Sequence, residues 1–258
     1  MIDKDAKNII RQRTNPSVFD YCFITTKAHK KAILIYKQLL KKKNEPIKLL
    51  DIGCGYKPFE KILNEANLEQ YIGVDFDDQR SSPDIKASTD NLPLPNDSFD
   101  AIVATEVLEH TSKLKKTINE MRRVSKKDAL IYISAPFIHG EHGVPYDFQR
   151  ITSYRYKEFF KDDEILYLKG TNFSLSTPFF VSNLVIENIS ILKLIPLLPQ
   201  LLFFLNNLFA LTSETILSLV ISLSKVLFKN KKSKINTIFA SYFETMPAAY
   251  DIIVKIKK

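Results

Sequence analysis

The feature that most constrains the fold is a glycine turn directly after an apolar segment. Leu49-Leu50-Asp51-Ile52 reads as a buried strand, and Gly53-Cys54-Gly55 places two glycines one residue apart at its end. Glycine tolerates turn dihedrals that other residues avoid, and it lets a ligand approach the backbone closely. A helix-like segment begins near Pro58. This order of strand, tight turn and helix is typical of the ligand-binding edge of an α/β fold.

A second acid follows at the spacing expected for a ribose contact. The segment Tyr71-Ile72-Gly73-Val74-Asp75 reads as a short strand ending in a carboxylate, about 20 residues beyond the turn. Lys57 and Pro58 stand where a dinucleotide-binding turn would carry its third glycine. The pattern therefore predicts a ligand that has a ribose but no phosphates.

Two further motifs continue the pattern, namely the loop Asn91-Leu92-Pro93-Leu94-Pro95 and the tetrapeptide Val107-Leu108-Glu109-His110. Together the motifs resemble those of class I S-adenosylmethionine-dependent methyltransferases of the small-molecule type, over about residues 47–168. The resemblance implies S-adenosylmethionine as cofactor, with Asp75 on the ribose and Phe76 on the adenine. It places Asp51, Gly53, Cys54, Gly55, Thr105 and Glu106 around the methionine part, and Asn91 and Leu92 at the adenine edge. One departure is Ser88, which stands where the family often has an acid.

The alternation of strands and helices predicts a doubly wound, Rossmann-like α/β fold with parallel strands joined by crossover helices. The resemblance implies a seven-stranded sheet whose last strand, Ala249 to Lys257, is antiparallel. We expect a helical cap over residues 1–46, in which Thr26 caps a helix that runs to about Lys43 and packs on the sheet. The methyltransferase core then comprises residues 47–169 and 248–258, and residues 170–247 form an apolar helical insertion before the last strand.

The insertion differs in composition from the rest of the chain. Between Leu184 and Phe228 the only charged residues are Glu187, Lys193, Glu214 and Lys225. From Glu214 onward, polar residues recur as one stripe at helical spacing, which predicts a helix that is apolar over most of its circumference. Such a helix is buried in protein or lies in a membrane surface. Lysines at positions 229, 231, 232 and 234 follow, and they suit anionic headgroups. A lid or a dimer interface is the competing interpretation.

The loop after the strand Ala129 to Ala135 contains the candidate catalytic residues His139, His142 and Asp147. A histidine titrates near neutral pH and can take a proton from a hydroxyl acceptor. Asp147 can equally pair with Arg150 and shape the loop. Glu141 and the two histidines could be read as metal ligands, but no further Cys or His lies at ligand spacing, so the sequence predicts no metal site.

These observations favour S-adenosylmethionine-dependent O-methylation of a small or lipid-linked acceptor, such as a sugar in cell-surface polysaccharide or glycolipid synthesis. Methylation of a membrane quinone or lipid and a non-catalytic scaffold that keeps the fold are the alternatives. The net charge of +8 comes almost wholly from lysine, without interleaved aromatics, which argues against nucleic acid. The amino-terminal residues lack the apolar core of a secretion signal. We therefore expect a cytoplasmic protein, with the inner face of the membrane or a second copy as candidate partners.

Overall fold

The computed structural model describes residues 4–76, 81–172, 176–189, 195, 197–227 and 246–258. The α-helices are α1 (Lys4–Thr14), α2 (Phe23–Leu40), α3 (Glu60–Leu63), α4 (Leu114–Val124), α5 (Ser153–Phe159), α6 (Thr177–Asn188) and α7 (Leu198–Leu227). The strands are β1 (Ile47–Ile52), β2 (Leu68–Asp75), β3 (Ile85–Lys86), β4 (Phe99–Thr105), β5 (Ser125–Pro136), β6 (Glu164–Gly170) and β7 (Ala249–Lys255).

The seven strands of the described residues form one sheet in the order β3-β2-β1-β4-β5-β7-β6. The pairs β1–β2, β1–β4, β2–β3 and β4–β5 are parallel, whereas β7 runs antiparallel to both of its neighbours. The predicted seven-stranded sheet with an antiparallel last strand is therefore confirmed. Because β1 and β4 are adjacent and parallel at the centre, their carboxyl ends meet at one edge, where open α/β sheets bind their ligands.

Consecutive strand residues point to opposite faces, so each central strand contributes to two hydrophobic cores. Leu50 and Ile102 pack with α4 residues such as Met121 on one face. Leu49 and Val103 pack on the other face with residues of α2 and α3. Both faces are thus covered by helices, as the near-continuous apolar character of β1 and β4 predicts.

Helix α2 packs on the sheet, as expected, but its start differs from the prediction. The helix begins at Phe23, and Thr26 lies in its first turn with its hydroxyl donating to the Cys22 carbonyl at 2.9 Å. A threonine can satisfy its hydroxyl inside a helix in this way, so the expectation that Thr26 caps the helix was wrong. The Tyr36 hydroxyl lies 2.9 Å from the carbonyl oxygens of both Ile102 and Leu130, which ties the helix to β4 and β5.

The predicted insertion lies between β6 and β7, and its described part consists of α6 and α7. Helix α7 begins at Leu198, well before the expected start near Glu214. The span Leu198–Val220 is long and apolar enough to cross a membrane by length and composition, and 22% of the residues in its most apolar stretch are buried.

Three asparagines hold the two helices to each other and to the rest of the protein. Asn183 and Asn207 bond to each other and to carbonyl groups of residues 18–21, and Asn206 bonds to Asn183. The predicted lysine cluster 229–234 lies outside the described residues.

Candidate active site

The glycine turn after β1 has the geometry that its sequence predicts. Gly53 and Gly55 have φ values of 67° and 50°, and the amides of Gly53 and Cys54 both donate to the Val74 carbonyl. A Cβ atom on Gly53 would lie 2.3 Å from a methyl carbon of Val107, whereas one on Gly55 would meet nothing within 4 Å. Packing therefore requires glycine at position 53, and the space beside Gly55 is open to a ligand.

Asp75 closes this turn from the end of β2. Its Oδ2 atom accepts a hydrogen bond of 3.0 Å from the Gly55 amide. The carboxylate thus shapes the turn as well as facing the space beside it. A carboxylate at the end of the strand next to the turn is where a ribose would be bound.

A cavity of about 520 Å³ opens at this edge of the sheet. Its volume lies in the range of small-molecule sites, about 300–1,000 Å³. The predicted cofactor residues in its lining are Gly53, Cys54, Gly55, Asp75, Phe76, Thr105 and Glu106. Ile9 and Arg13 of α1 also line it, and the sequence had assigned no residue of the predicted helical cap to the site.

Three of the predicted cofactor residues do not line this cavity. Asp51 is buried beneath the turn, where its Oδ2 accepts a hydrogen bond from the Tyr71 hydroxyl. Burial raises the pKa of Asp51 to about 7. Asn91 is exposed, and Leu92 is buried with its amide donating to Glu120. Thr89 lines the cavity instead, so contacts of Asp51, Asn91 and Leu92 with a cofactor stay predictions.

The loop that carries Ser88 does contain a carboxylate. Ser88 donates to Asp90, and both residues line a cavity of about 250 Å³ that shares Phe76 and Thr89 with the larger one. The bond from Ser88 holds the pKa of Asp90 below its usual value, with help from Lys113. The loop thus has a carboxylate two residues after the position at which the family often has an acid.

A second cavity, which we call the inner cavity, adjoins the first. Its volume is about 220 Å³, and Ile9, Arg13 and Glu106 line both. His29 and His139 line the inner cavity but not the first one. Two imidazoles therefore lie next to the cavity that is lined by the predicted cofactor residues.

His29 is fixed by a carboxylate from the last strand. Its Nδ1 atom lies 2.6 Å from Asp251 Oδ1, which also accepts a hydrogen bond of 2.7 Å from the Tyr132 hydroxyl. The Nε2 atom lies 3.5 Å from Glu106 Oε1, which accepts a bond from Ser134. Burial acts to lower the pKa of His29, but the Asp251 carboxylate outweighs it and the pKa is raised. An aspartate that orients an imidazole in this way leaves Nε2 directed at Glu106 and the inner cavity.

The three predicted catalytic residues separate into different roles. Asp147 accepts two bonds of 2.6 and 2.8 Å from Arg150, which holds the pKa of its carboxyl well below the usual range. His139 lines the inner cavity, and burial lowers its pKa. His142 instead lies 3.7 Å from Glu109 Oε1. Of the three, only His139 is brought to the inner cavity, and a catalytic role stays a prediction for each.

The family described as "Methyltransferase domain" matches residues 24–162, more than half of the 258 residues. The chain belongs to this methyltransferase family. The match confirms the resemblance, the predicted enzyme class and S-adenosylmethionine as the cofactor. An uncharacterized protein of Methanocaldococcus jannaschii is 33% identical over 100 residues, which are 35% of this chain and 38% of that protein. The chain therefore matches well under half of that relative.

Solved structures share the fold at low sequence identity. A methyltransferase from Archaeoglobus fulgidus that depends on the same cofactor has a TM-score of 0.51 at 13% identity, covering 97% of this chain and 99% of that one. A candidate sarcosine dimethylglycine methyltransferase from Galdieria sulphuraria has a TM-score of 0.54 at 11% identity, covering 98% and 99%. The [4+2]-cyclase SpnF reaches 0.50 at 16% identity, covering 88% and 83%. Because the cyclase has the same fold, the fold alone does not decide the reaction.

The residues present fit the methyltransferase cofactor. Gly55 leaves open space beside the turn, and Asp75 offers a carboxylate at the neighbouring strand end. Phe76 is exposed at the cavity wall, where an adenine ring can pack against it. Open space, a carboxylate for the ribose and an aromatic ring for the base are what the binding of a nucleoside without phosphates requires.

Sequence reasoning missed His29, Asp251 and Arg13. His29 and Asp251 are 222 positions apart, and only the packing of α2 against β7 brings them together. His29 stands among Lys27, Lys30 and Lys31, so its neighbours along the chain gave no sign that it is buried, and no pattern singled out Arg13.

Proposed function

We propose that this methyltransferase transfers a methyl group to an oxygen atom of a lipid-linked acceptor, such as a sugar carried on a lipid. The observation that carries the proposal is the position of His139. This residue lines the inner cavity and also an apolar groove of about 610 Å³ on the protein surface. An acceptor with a polar head and an apolar tail would bridge the two.

The groove has the character expected for an apolar tail. Phe137 and Ile138 after β5 form one side, and residues of α6, including Val181 and Val185, form the other. Val181 and Val185 are 38% and 55% exposed. Exposed apolar side chains in a groove that leads to a candidate site favour a ligand with hydrocarbon character.

The inner cavity has the character expected for a polar head group. Gln12, Arg13, Thr25 and Thr26 contribute hydrogen-bonding side chains to its wall. Such groups suit a sugar, which carries several hydroxyls, better than the flat ring of a quinone. This contrast favours a lipid-linked sugar over a membrane quinone, although the groove suits both.

S-adenosylmethionine supplies an activated methyl group when bound. The residues of this chain would hold that cofactor at Gly55, Asp75 and Phe76 and orient the acceptor beside it. An acceptor hydroxyl must lose its proton as it is methylated, and His139 and His29 border the cavity where this would occur. Positioning and proton removal are the two contributions that the protein can make.

The proposal includes attachment to the inner face of the membrane. Helix α7 exposes apolar side chains along its length: Leu201, Leu205, Leu208, Phe209, Ile216, Leu219 and Val220. A lid would turn these side chains inward and leave only the polar stripe exposed. The apolar exposure therefore favours an external surface, and the lysines that follow in the sequence favour an anionic one.

Methyl transfer to a lipid-linked acceptor is tested with radiolabelled S-adenosylmethionine and two fractions of a cell extract, one lipid-soluble and one water-soluble. We expect label in the lipid-soluble fraction, and we expect mild acid release of the sugar to carry the label with it. Substitution Val185→Asp places a charge in the groove and should reduce this labelling about tenfold or more, because burying a carboxylate against an apolar tail is costly.

The matched control is Leu166→Asp, which puts the same charge on β6 at a residue that is 39% exposed and lines none of the cavities described above. Its labelling should equal that of the wild type. Label only in the water-soluble fraction would exclude the lipid-linked acceptor. Label that stays with the lipid after acid treatment would favour the quinone or lipid alternative, and cofactor binding without any labelling would favour the scaffold.

A further inference from the structure

Glu109 is a buried carboxylate that accepts no hydrogen bond within the described part of the chain. It lies in a short 3-10 helix after β4, its exposure is 0%, and neither carboxylate oxygen is hydrogen-bonded among the described residues. A buried carboxylate is costly unless a cation or several donors face it. The Glu109 carboxyl group is therefore stable at this position only if it takes up a proton or lies beside a cation.

Two imidazoles face this carboxylate. The Nε2 atoms of His110 and His142 lie 3.6 and 3.7 Å from Glu109 Oε1. Both separations are longer than a hydrogen bond, which spans about 2.7–3.2 Å. They are close to the separations of two ligand atoms that each lie about 2.1 Å from one shared ion.

The opposite nitrogen of each ring is already used as a donor. His110 Nδ1 lies 2.8 Å from the Tyr146 carbonyl oxygen, and His142 Nδ1 lies 3.2 Å from that of Gly140. A carbonyl oxygen only accepts, so Nδ1 carries the proton in both rings and a neutral ring presents the Nε2 lone pair to Glu109. A metal-binding histidine typically donates its second nitrogen to a carbonyl or carboxylate in this way. Asp147, 3.4 Å from His142 Nδ1, adds such a carboxylate.

We propose that Glu109, His110 and His142 bind one divalent transition-metal cation. The three candidate ligand atoms lie within 4.8 Å of one another. Two imidazoles and one carboxylate suit Zn²⁺, Fe²⁺ or Mn²⁺, whereas Mg²⁺ and Ca²⁺ prefer oxygen ligands alone. The sequence had directed attention to His139 and Glu141, because the grouping joins Glu109 and His110 to His142 of a later loop.

The site borders the cavity that the cofactor residues line. His110 contributes to that cavity, so an ion with three protein ligands would have open positions close to it. There it could polarise an acceptor oxygen, a role that rests on the proposed function. The binding of the ion itself does not depend on that role.

The test is calorimetric titration of the purified full-length chain with Zn²⁺ after removal of bound metal by a chelator. We expect one site per chain. Substitutions Glu109→Gln and His142→Ala should each weaken binding about 100-fold or more, since a ligand contributes at least as much as its supporting partners do. His139→Ala is the matched control, because its ring lies 4.6 Å from that of His142 but belongs to no ligand set, and it should keep wild-type affinity.

Thermal unfolding provides a second measurement that is independent of methyl transfer. Zn²⁺ should raise the Tm of the wild type and of His139→Ala, and it should leave that of Glu109→Gln unchanged. If Glu109→Gln does not fold, the same comparison is made with His142→Ala, because His142 is a partly exposed loop residue. A wild type that does not bind Zn²⁺ or Mn²⁺, or a Glu109→Gln variant that binds as tightly as the wild type, would overturn the proposal. Inactivity in methyl transfer with intact Zn²⁺ binding would count against the proposed function alone.

Discussion

At the scale of single residues, Asp75 combines a structural contact with a predicted binding role. Its hydrogen bond to the Gly55 amide means that loss of the carboxylate would disturb the turn as well as a ribose contact. Asparagine keeps one acceptor oxygen for that amide, whereas alanine keeps none. The two substitutions therefore separate the two contributions.

We expect Asp75→Ala to weaken S-adenosylmethionine binding by about 2–3 kcal/mol, because the ligand hydroxyls lose their acceptor. Asp75→Asn should give a smaller loss. Calorimetry measures both, with Glu69→Ala as control because Glu69 is an exposed acid on the same strand. Unchanged affinity in Asp75→Ala would remove the assignment of this residue to the ribose.

The buried Asp51 should make the stability of the protein depend on pH. Burial raises its pKa from 3.8 to about 7, so between these values the folded state holds a proton that the unfolded state has lost. The free energy of unfolding must then fall as pH rises from about 4 to about 7, by about 4 kcal/mol from this group.

Asp51→Asn should remove that contribution, since an amide does not titrate. Urea unfolding at several pH values, with the wild type as reference, measures the difference between the two slopes. Parallel curves for the two proteins would show that Asp51 is ionised in the folded state throughout this range.

The sequence identified residues that lie beside their partners along the chain, and it missed those whose partners are distant. Gly53, Gly55 and Asp75 belong to one strand–turn–helix–strand unit, and the structure brings them together as expected. His29 and Asp251 meet only after the sheet has formed. Asn91 and Leu92 were placed by resemblance to a loop, and loops vary most between relatives.

At the scale of elements, the strands were predicted more accurately than the helices. The strand predicted from Leu49 to Ile52 lies within β1 and ends at the same residue, because the glycine turn that follows marks the end of the apolar segment. The predicted start of α2 was wrong because the Thr26 hydroxyl finds its hydrogen-bond acceptor inside the helix. For α7, polar residues such as Asn207 interrupt the apolar pattern although they are buried at an interface.

The asparagines between α6 and α7 should contribute strongly to the attachment of the insertion. Asn207 is fully buried and donates to the carbonyl groups of Val18 and Asp20 while accepting from Asn183. We expect Asn207→Ala to lower the free energy of unfolding by about 2–3 kcal/mol, because it leaves these buried groups unpaired.

Asn188→Ala is the matched control, since Asn188 is exposed on α6 and bonds only within its own helix in the described contacts. Its effect should stay within about 0.5 kcal/mol. Equal stability of both variants in urea unfolding would mean that apolar packing alone holds the two helices in place.

At the scale of the whole molecule, the proposed membrane contact can be measured with liposomes. We expect the wild type to float with anionic vesicles, because the exposed apolar face of α7 precedes a cluster of lysines. The double substitution Lys231→Glu and Lys232→Glu should weaken partitioning by about 2 kcal/mol, or about 30-fold.

The control variant reverses the charge of an equally spaced pair, Lys41 and Lys42, which are exposed after the end of α2. This variant should float like the wild type if binding depends on the position of the lysines rather than on net charge. A wild type that stays out of the lipid fraction and elutes as a dimer would show that a second copy covers the apolar face of α7.

The position of β7 has a consequence for the order in which the chain becomes structured during synthesis. Among the strands that the structure describes, β6 pairs with β7 alone, and 78 residues separate Gly170 from Ala249. At about 5–20 residues per second, a ribosome needs about 4–16 seconds to make them. During this interval β1 to β5 can already form a parallel sheet, while β6 has no partner and the apolar helices of the insertion emerge. The inner cavity, whose His29 depends on Asp251, is thus completed by the strand made last.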